Sequence, residues 1–97
     1  MLESSTEVKS IIQDERKCLV CGSPYVEEHH IFGAFNRKHS EKYGLKVYLC
    51  RKHHTESRDS AHRSAEAAQQ LHEMGQRAFT EHYKDLDFFE IFGRNYL

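Results

Sequence analysis

Apolar residues follow two different rhythms along this chain, and the changes of rhythm divide it into elements. Near the start, Val8, Ile11 and Ile12 fall on one stripe of a helical repeat. Ser4 and Glu7 in front of them have the spacing of a capping box, which predicts a short amphipathic helix within 1–17. "YVEEHHIF" then reads as a strand. "LKVYLC" alternates, with Leu45, Val47 and Leu49 on one face of a second strand. Between them, the stretch from Gly33 to Gly44 is polar and bounded by glycine, which predicts a loop. "RKHHTES" predicts a short helix. From Ser64 to Tyr83 the rhythm is helical again: Ala67, Leu71, Met74 and Ala78 share one face, with Phe79 and Tyr83 alongside. "LDFFEIFG" predicts a last short helix stopped by Gly93, and Phe79, Phe88, Phe89 and Phe92 have the spacing of core residues. The sum is one α+β domain: an N-terminal helix over 1–17, a two-stranded core over 18–62 and a helical extension over 63–97.

Composition adds a constraint. Only 38% of the 97 residues are hydrophobic and 30% are charged, a lean supply for a core of this size. Such a chain needs a staple. Three cysteines cannot all pair as disulfides, and no leader-type or membrane-length apolar run is present. The expectation is a reducing cytoplasm, no membrane partner, and a metal as the staple.

The formal net charge of −1 is unevenly spread. Residues 33–54 carry Arg37, Lys38, Lys42, Lys46, Arg51 and Lys52 against Glu41 alone, while both ends are acidic. A basic segment beside clustered histidines is the layout a phosphodiester substrate favours; a solvated lysine-rich loop has the same composition.

Cys18, Cys21, Cys50 and His53 form two pairs, each with two intervening residues. Structural zinc takes four nitrogen or sulfur ligands in a tetrahedron, and two such knuckles joined by a hairpin supply them. Cys18 precedes the first strand and Cys50 ends the second, so antiparallel pairing brings them together.

His53 in that site leaves His54 free, opposite His29 and His30 on the first strand. The stretches "CLVC", "EEHHIF" and "LCRKHH" together resemble the HNH endonucleases of the His-Me finger (ββα-metal) class over about residues 18–62. The ending "GQRAFTEHYKDLDFFEIFGRNYL" is similar to the tail of small phage-encoded HNH proteins. The resemblance implies a zinc-stapled ββα-metal core flanked by helices. It implies His30 as general base, His29 and His54 as ligands of one divalent ion, and His62 as a third ligand if "TESRDSA" forms a loop. It also implies DNA as the partner, with Arg37, Lys38, Lys42 and Arg58 contacting its backbone. The setting would be a bacterial host cytoplasm. Two departures from the family pattern stand out. Leu45 occupies the usual place of the Asn, with Asn36 nearby in the loop, and Arg58 stands one turn after the helix ligand.

Adjacent strand residues point to opposite faces. His29 and His30 therefore share one site only across a twist or bulge; otherwise one of them is structural. His39, His72 and His82 are expected to be exposed. Two functions fit these residues. One is a metal-dependent DNA endonuclease or nickase, with Zn²⁺ in the knuckles and Mg²⁺, Mn²⁺ or another divalent ion at the histidines. The other is a zinc-stapled module that binds nucleic acid or protein without cutting. The C-terminal helices have apolar residues for a core or for a homodimer face.

Overall fold

The computed structural model describes residues 8–97, so the expected capping box of Ser4 and Glu7 lies outside the described residues. Strands β1 (Glu27–His30) and β2 (Lys46–Leu49) form an antiparallel pair. Glu27 lies opposite Leu49, Glu28 opposite Tyr48, His29 opposite Val47 and His30 opposite Lys46. Leu45, Val47 and Leu49 are buried, as the alternation predicts. Lys46 is buried as well, at 1% exposure, because chain is packed against both sides of β2.

That chain is the N-terminal segment, and it corrects the helix expected over 1–17: residues 8–17 are irregular. They follow β2 instead of coiling. The Ile11 N–H donates to the Gly44 carbonyl at 3.0 Å, and the Leu19 N–H to the Tyr48 carbonyl at 2.8 Å. The Ser10 hydroxyl donates to the Lys46 carbonyl at 2.6 Å, and the Tyr48 N–H donates to Gln13 Oε1 at 2.7 Å. Strand-edge groups are thereby satisfied, and hydrogen bonds to β2 replace those of a helix. Ile11 and Ile12 still reach the core.

The loop expected between the strands is also corrected. A 3₁₀ turn (Ala34–Asn36) leads into helix α1 (Arg37–Tyr43), closed by Gly44 in the left-handed conformation, φ 71°. The inward residue that anchors α1 is polar. Ser40, fully buried, accepts the Phe32 N–H at 2.9 Å and donates to the Phe32 carbonyl at 2.8 Å. A helix held by a serine leaves no apolar rhythm, so periodicity could not find it.

After β2, Lys52–Glu56 form a π-helical turn. Helix α2 (Ala65–His82) starts at Ser64, whose side chain accepts the Ala67 N–H. Helix α3 (Phe88–Phe92) starts at Asp87 and stops at Gly93, as expected. Their apolar faces meet β2 and Ile31–Phe32 in one core, with Phe32, Phe79, Phe88 and Phe92 as its aromatic centre. Phe89 instead points outward, 60% exposed. Gly75 lets α2 close in, since a Cβ there would sit 2.9 Å from the Phe32 ring. No helix among the described residues is long and apolar enough to cross a membrane.

Gly44 tests how tightly the N-terminal segment is laid down. A Cβ there would lie 2.5 Å from the Lys9 carbonyl oxygen, whereas one at Gly22, also with positive φ, meets open space. Gly44→Ala is expected to cost more than about 2 kcal/mol and Gly22→Ala about 1 kcal/mol, read as urea midpoints at equal m-value. Equal losses at the two positions would mean that Lys9 and Ile11 do not pack on Gly44.

Candidate metal centres

The hairpin brings Cys18, Cys21, Cys50 and His53 together. Cys21 Sγ is 3.7 Å from Cys50 Sγ, and His53 Nδ1 is 3.6 Å from Cys18 Sγ and 3.2 Å from Cys50 Sγ. Tetrahedral zinc with ordinary bond lengths implies sulfur–sulfur edges of ~3.8 Å and sulfur–nitrogen edges of ~3.5 Å. The donors fit, and the group could hold a metal such as zinc. The local chemistry agrees. Burial raises the Cys18 thiol pKa, but backbone N–H groups at Cys50, Cys21 and Val20, with His53, outweigh it and hold it at about 6. Cys21 is pushed up: a backbone hydrogen bond from Ser23 opposes the shift, but desolvation and the Cys18 and Cys50 sulfurs prevail. Three sulfurs so close cannot all ionise without a cation among them.

A second group forms one residue further on. Successive side chains on a helical turn diverge by roughly 80–100°. In the π-helical turn that angle turns His53 toward the cysteines and His54 toward β1. The Ala61 N–H donates to the His53 carbonyl at 2.9 Å, and the His62 N–H to the His54 carbonyl at 3.1 Å. The chain after the turn therefore folds back and sets His62 beside His54. His54 Nε2 and His62 Nε2 are 3.1 Å apart, and the buried His29 ring packs edge-on against both, with centroids at 5.2 and 5.0 Å. The ligand atoms of all three lie within 4.8 Å of one another. Burial, and then the neighbouring imidazoles His54, His62 and His30, pull the His29 pKa down to about 4. His62 is lowered by burial and by His54. Neutral imidazoles are what a metal requires.

Glu27 orients this group. Its Oε1 lies 2.8 Å from His54 Nδ1, and that hydrogen bond lowers the Glu27 pKa. An ionised carboxylate there makes His54 Nδ1–H the donor and leaves Nε2 facing His62. Carboxylate–histidine pairs fix metal-binding tautomers in this way. Glu27 was not anticipated from sequence, although its place two residues before His29 on the same strand face was a usable signal.

His30 does not join this group. The regular register of β1 sends it to the opposite face with Glu28, where its Nε2 lies 2.9 Å from Glu41 Oε1. The Lys46 ammonium lies 3.2 and 3.1 Å from the two Glu41 oxygens and 3.4 Å from Glu28. Burial lowers the Lys46 pKa, but Glu41 and Glu28 more than compensate and hold it above its ordinary value. Burial raises that of Glu41, but His30 and Lys46 hold it below the usual range. Glu28, His30 and Glu41 are close enough to chelate an ion. Lys46 already supplies the positive charge there. With Glu41 ionised, His30 Nε2–H is the donor of this hydrogen bond.

Beside His30 lies an open depression of about 720 Å³ lined by Glu28, Ala34, Phe35, Arg37, Lys38 and Glu41. Of the basic residues expected to meet DNA, Arg37 and Lys38 are here. Lys42 lies over the Tyr43 ring at 5.3 Å, and Arg58 is exposed in the turn before His62. Asn36 donates to the Phe92 carbonyl at 3.1 Å, which ties α1 to α3 and occupies its amide; Leu45 is core. His72 corrects its expected exposure: it stacks half-buried on Phe32 at 5.3 Å. His39 is half-buried against Phe92, and only His82 of the three is exposed.

Comparison with protein-family models, with curated proteins and with solved structures finds no match for this chain.

Two outcomes follow from the centres. Cys50→Ser removes one of four donors and is expected to abolish tight zinc uptake and lower the melting midpoint by at least about 10 °C. Metal analysis and a thermal scan measure both. The second concerns acid. An unfolded histidine titrates near ~6.5, above the folded His29 value of about 4. Its contribution is complete above the unfolded value and is lost as pH falls toward the folded one. On the order of 2–3 kcal/mol is at stake. Without added divalent metal, the wild type should therefore lose more stability than His29→Asn between pH 7 and 4.5 in urea titrations. Parallel profiles would remove His29 as the cause.

Proposed function

We propose that this chain is a metal-dependent DNA endonuclease or nickase of the HNH type, built on a zinc-stapled ββα-metal core. The observation that carries the reading is the convergence of His29, His54 and His62. Three imidazoles, one buried and one fixed by a carboxylate, would leave coordination positions open on the exposed side, as hydrolytic metal sites require. Imidazole ligands suit Mn²⁺, Ni²⁺ or Zn²⁺ as well as Mg²⁺. A divalent ion held there would supply Lewis-acid stabilisation to the phosphate and the departing 3′ oxygen. The cysteine group takes the structural zinc.

The remaining chemistry belongs to the chain's own residues. His30 accepts the proton of the attacking water at Nδ1, with Nε2–H held by Glu41, the arrangement of a general base with an orienting carboxylate. His30 is one residue from His29, so the scissile phosphate lies across the end of β1, reached from both faces. Arg37 and Lys38 position the DNA backbone on the His30 side. The placement of His30 away from the three ligands favours one other reading, a zinc-stapled binding module that does not cut.

Supercoiled-plasmid nicking with Mg²⁺, Mn²⁺ or Ni²⁺ decides between them. Nicking is expected with at least one ion and should fall about 100-fold or more in His30→Ala and in His54→Ala. Glu27→Gln should raise the metal concentration needed about 10- to 100-fold without changing knuckle zinc. Folded, zinc-loaded wild type that cuts with no metal would leave the binding module as the function.

A further inference from the structure

Phe35 is the one phenylalanine among the described residues that points almost wholly into solvent, 87% exposed. An isolated exposed aromatic is ordinary on a protein surface, but the surroundings of this one are not. It stands on the lip of the depression that also holds His30, Arg37 and Lys38. The backbone that presents it is strained: Ala34 has φ 48°, among the described residues the one non-glycine with positive φ. Such strain persists only where surrounding structure enforces it. Here the Asn36 N–H donates to the Gly33 carbonyl at 2.9 Å, and the Asn36 side chain is tied to Phe92. Phe35 is thus held out on a fixed turn. Its neighbours Arg37 and Lys38 are exposed, whereas the carboxylates lining the depression are engaged by Lys46 and His30.

A rigid aromatic face beside free cations and an open, polar depression of about 720 Å³ matches one ligand chemistry. A nucleotide has a flat apolar base, a polar sugar and an anionic phosphate, and it fits that volume. We propose that Phe35 is a stacking platform for an unpaired base of a single-stranded segment of nucleic acid, with Arg37 and Lys38 on the flanking phosphates. This deepens the nuclease reading and rests on it, because it places the strand beside His30. A paired base offers no free face for Phe35, so the substrate carries an unpaired stretch, such as a flap, a junction or a melted duplex.

The chain contains no tryptophan, so Phe35→Trp introduces a single indole probe at this spot. Titration with a 12-nucleotide oligo-dT, in zinc-loaded protein with no other divalent ion, is expected to quench its emission. A blunt duplex of equal length should quench it far less. Phe35→Ala, with an unchanged melting midpoint, should weaken oligo-dT binding by about 5- to 100-fold. Unchanged emission on binding, equal response to duplex, unaltered affinity in Phe35→Ala, or no binding at all would each overturn the proposal. The readout is binding, so a protein that stacks oligo-dT but never nicks would leave this inference standing and sink the nuclease. One that nicks but shows no Phe35 dependence would do the reverse.

Discussion

The regular pairing of Glu27–His30 with Lys46–Leu49 is the constraint on which the molecule depends. A strand alternates its side chains, so one unslipped register assigns Glu27 and His29 to one side and Glu28 and His30 to the other. A slip of β1 by one residue would exchange the two sets. Two attachments oppose that slip. At one end the cysteine group links the turn before β1 to the end of β2. At the other, Ser40 grips both backbone groups of Phe32. Between them a four-residue strand keeps its register without a wider sheet, although two-stranded hairpins alone are marginal.

The register also organises charge. Each face carries one carboxylate–histidine pair: Glu27 with His54, and Glu41 with His30. On the first face burial and the neighbouring imidazoles lower the pKa values of His29 and His62. On the second, a fully covered lysine lies between Glu28 and Glu41 and, with His30, holds Glu41 below the usual carboxylate range against the effect of burial. Removing the lysine would leave carboxylates facing each other in a partly buried site, the costly half of a broken ion pair. The two faces therefore differ in charge, one gathering imidazoles and the other ion-paired carboxylates, separated by the thickness of a strand.

Sequence reasoning reached the parts that follow from spacing. The two knuckles, both strands, α2, α3 and the loop that frees His62 could all be anticipated. So could the objection that adjacent histidines on a strand diverge, which the register bears out. It missed what depends on polar groups turned inward. α1 is anchored by Ser40, so its helical rhythm is invisible to an apolar count. The segment over 8–17 has the stripe of a helix, but its hydrogen bonds go to β2, and a tertiary partner outweighs local propensity. Glu41 and Lys46 entered only as members of a charged segment and Glu27 was given no role, because sequence separates them from the partners they meet. Their roles appear only once the hairpin closes and α1 folds over it.

The two adjacent histidine pairs are divided by different means to the same end. On β1 the pleat separates His29 from His30. In the π-helical turn the rotation per residue separates His53 from His54. In each case one member serves the side of the hairpin where His29, His54 and His62 converge, and the other serves a different cluster. The division couples the centres mechanically: His53 cannot be clamped among the cysteines without fixing the backbone that aims His54. A metal held at the knuckles would thus do more than replace missing apolar core. By immobilising one residue it would set the direction of the next, and the turn from Ala61 to His62, bonded to the same two carbonyls, would share that constraint. A chain with only 38% hydrophobic residues would gain from such a metal a fixed histidine cluster without a larger core to hold it.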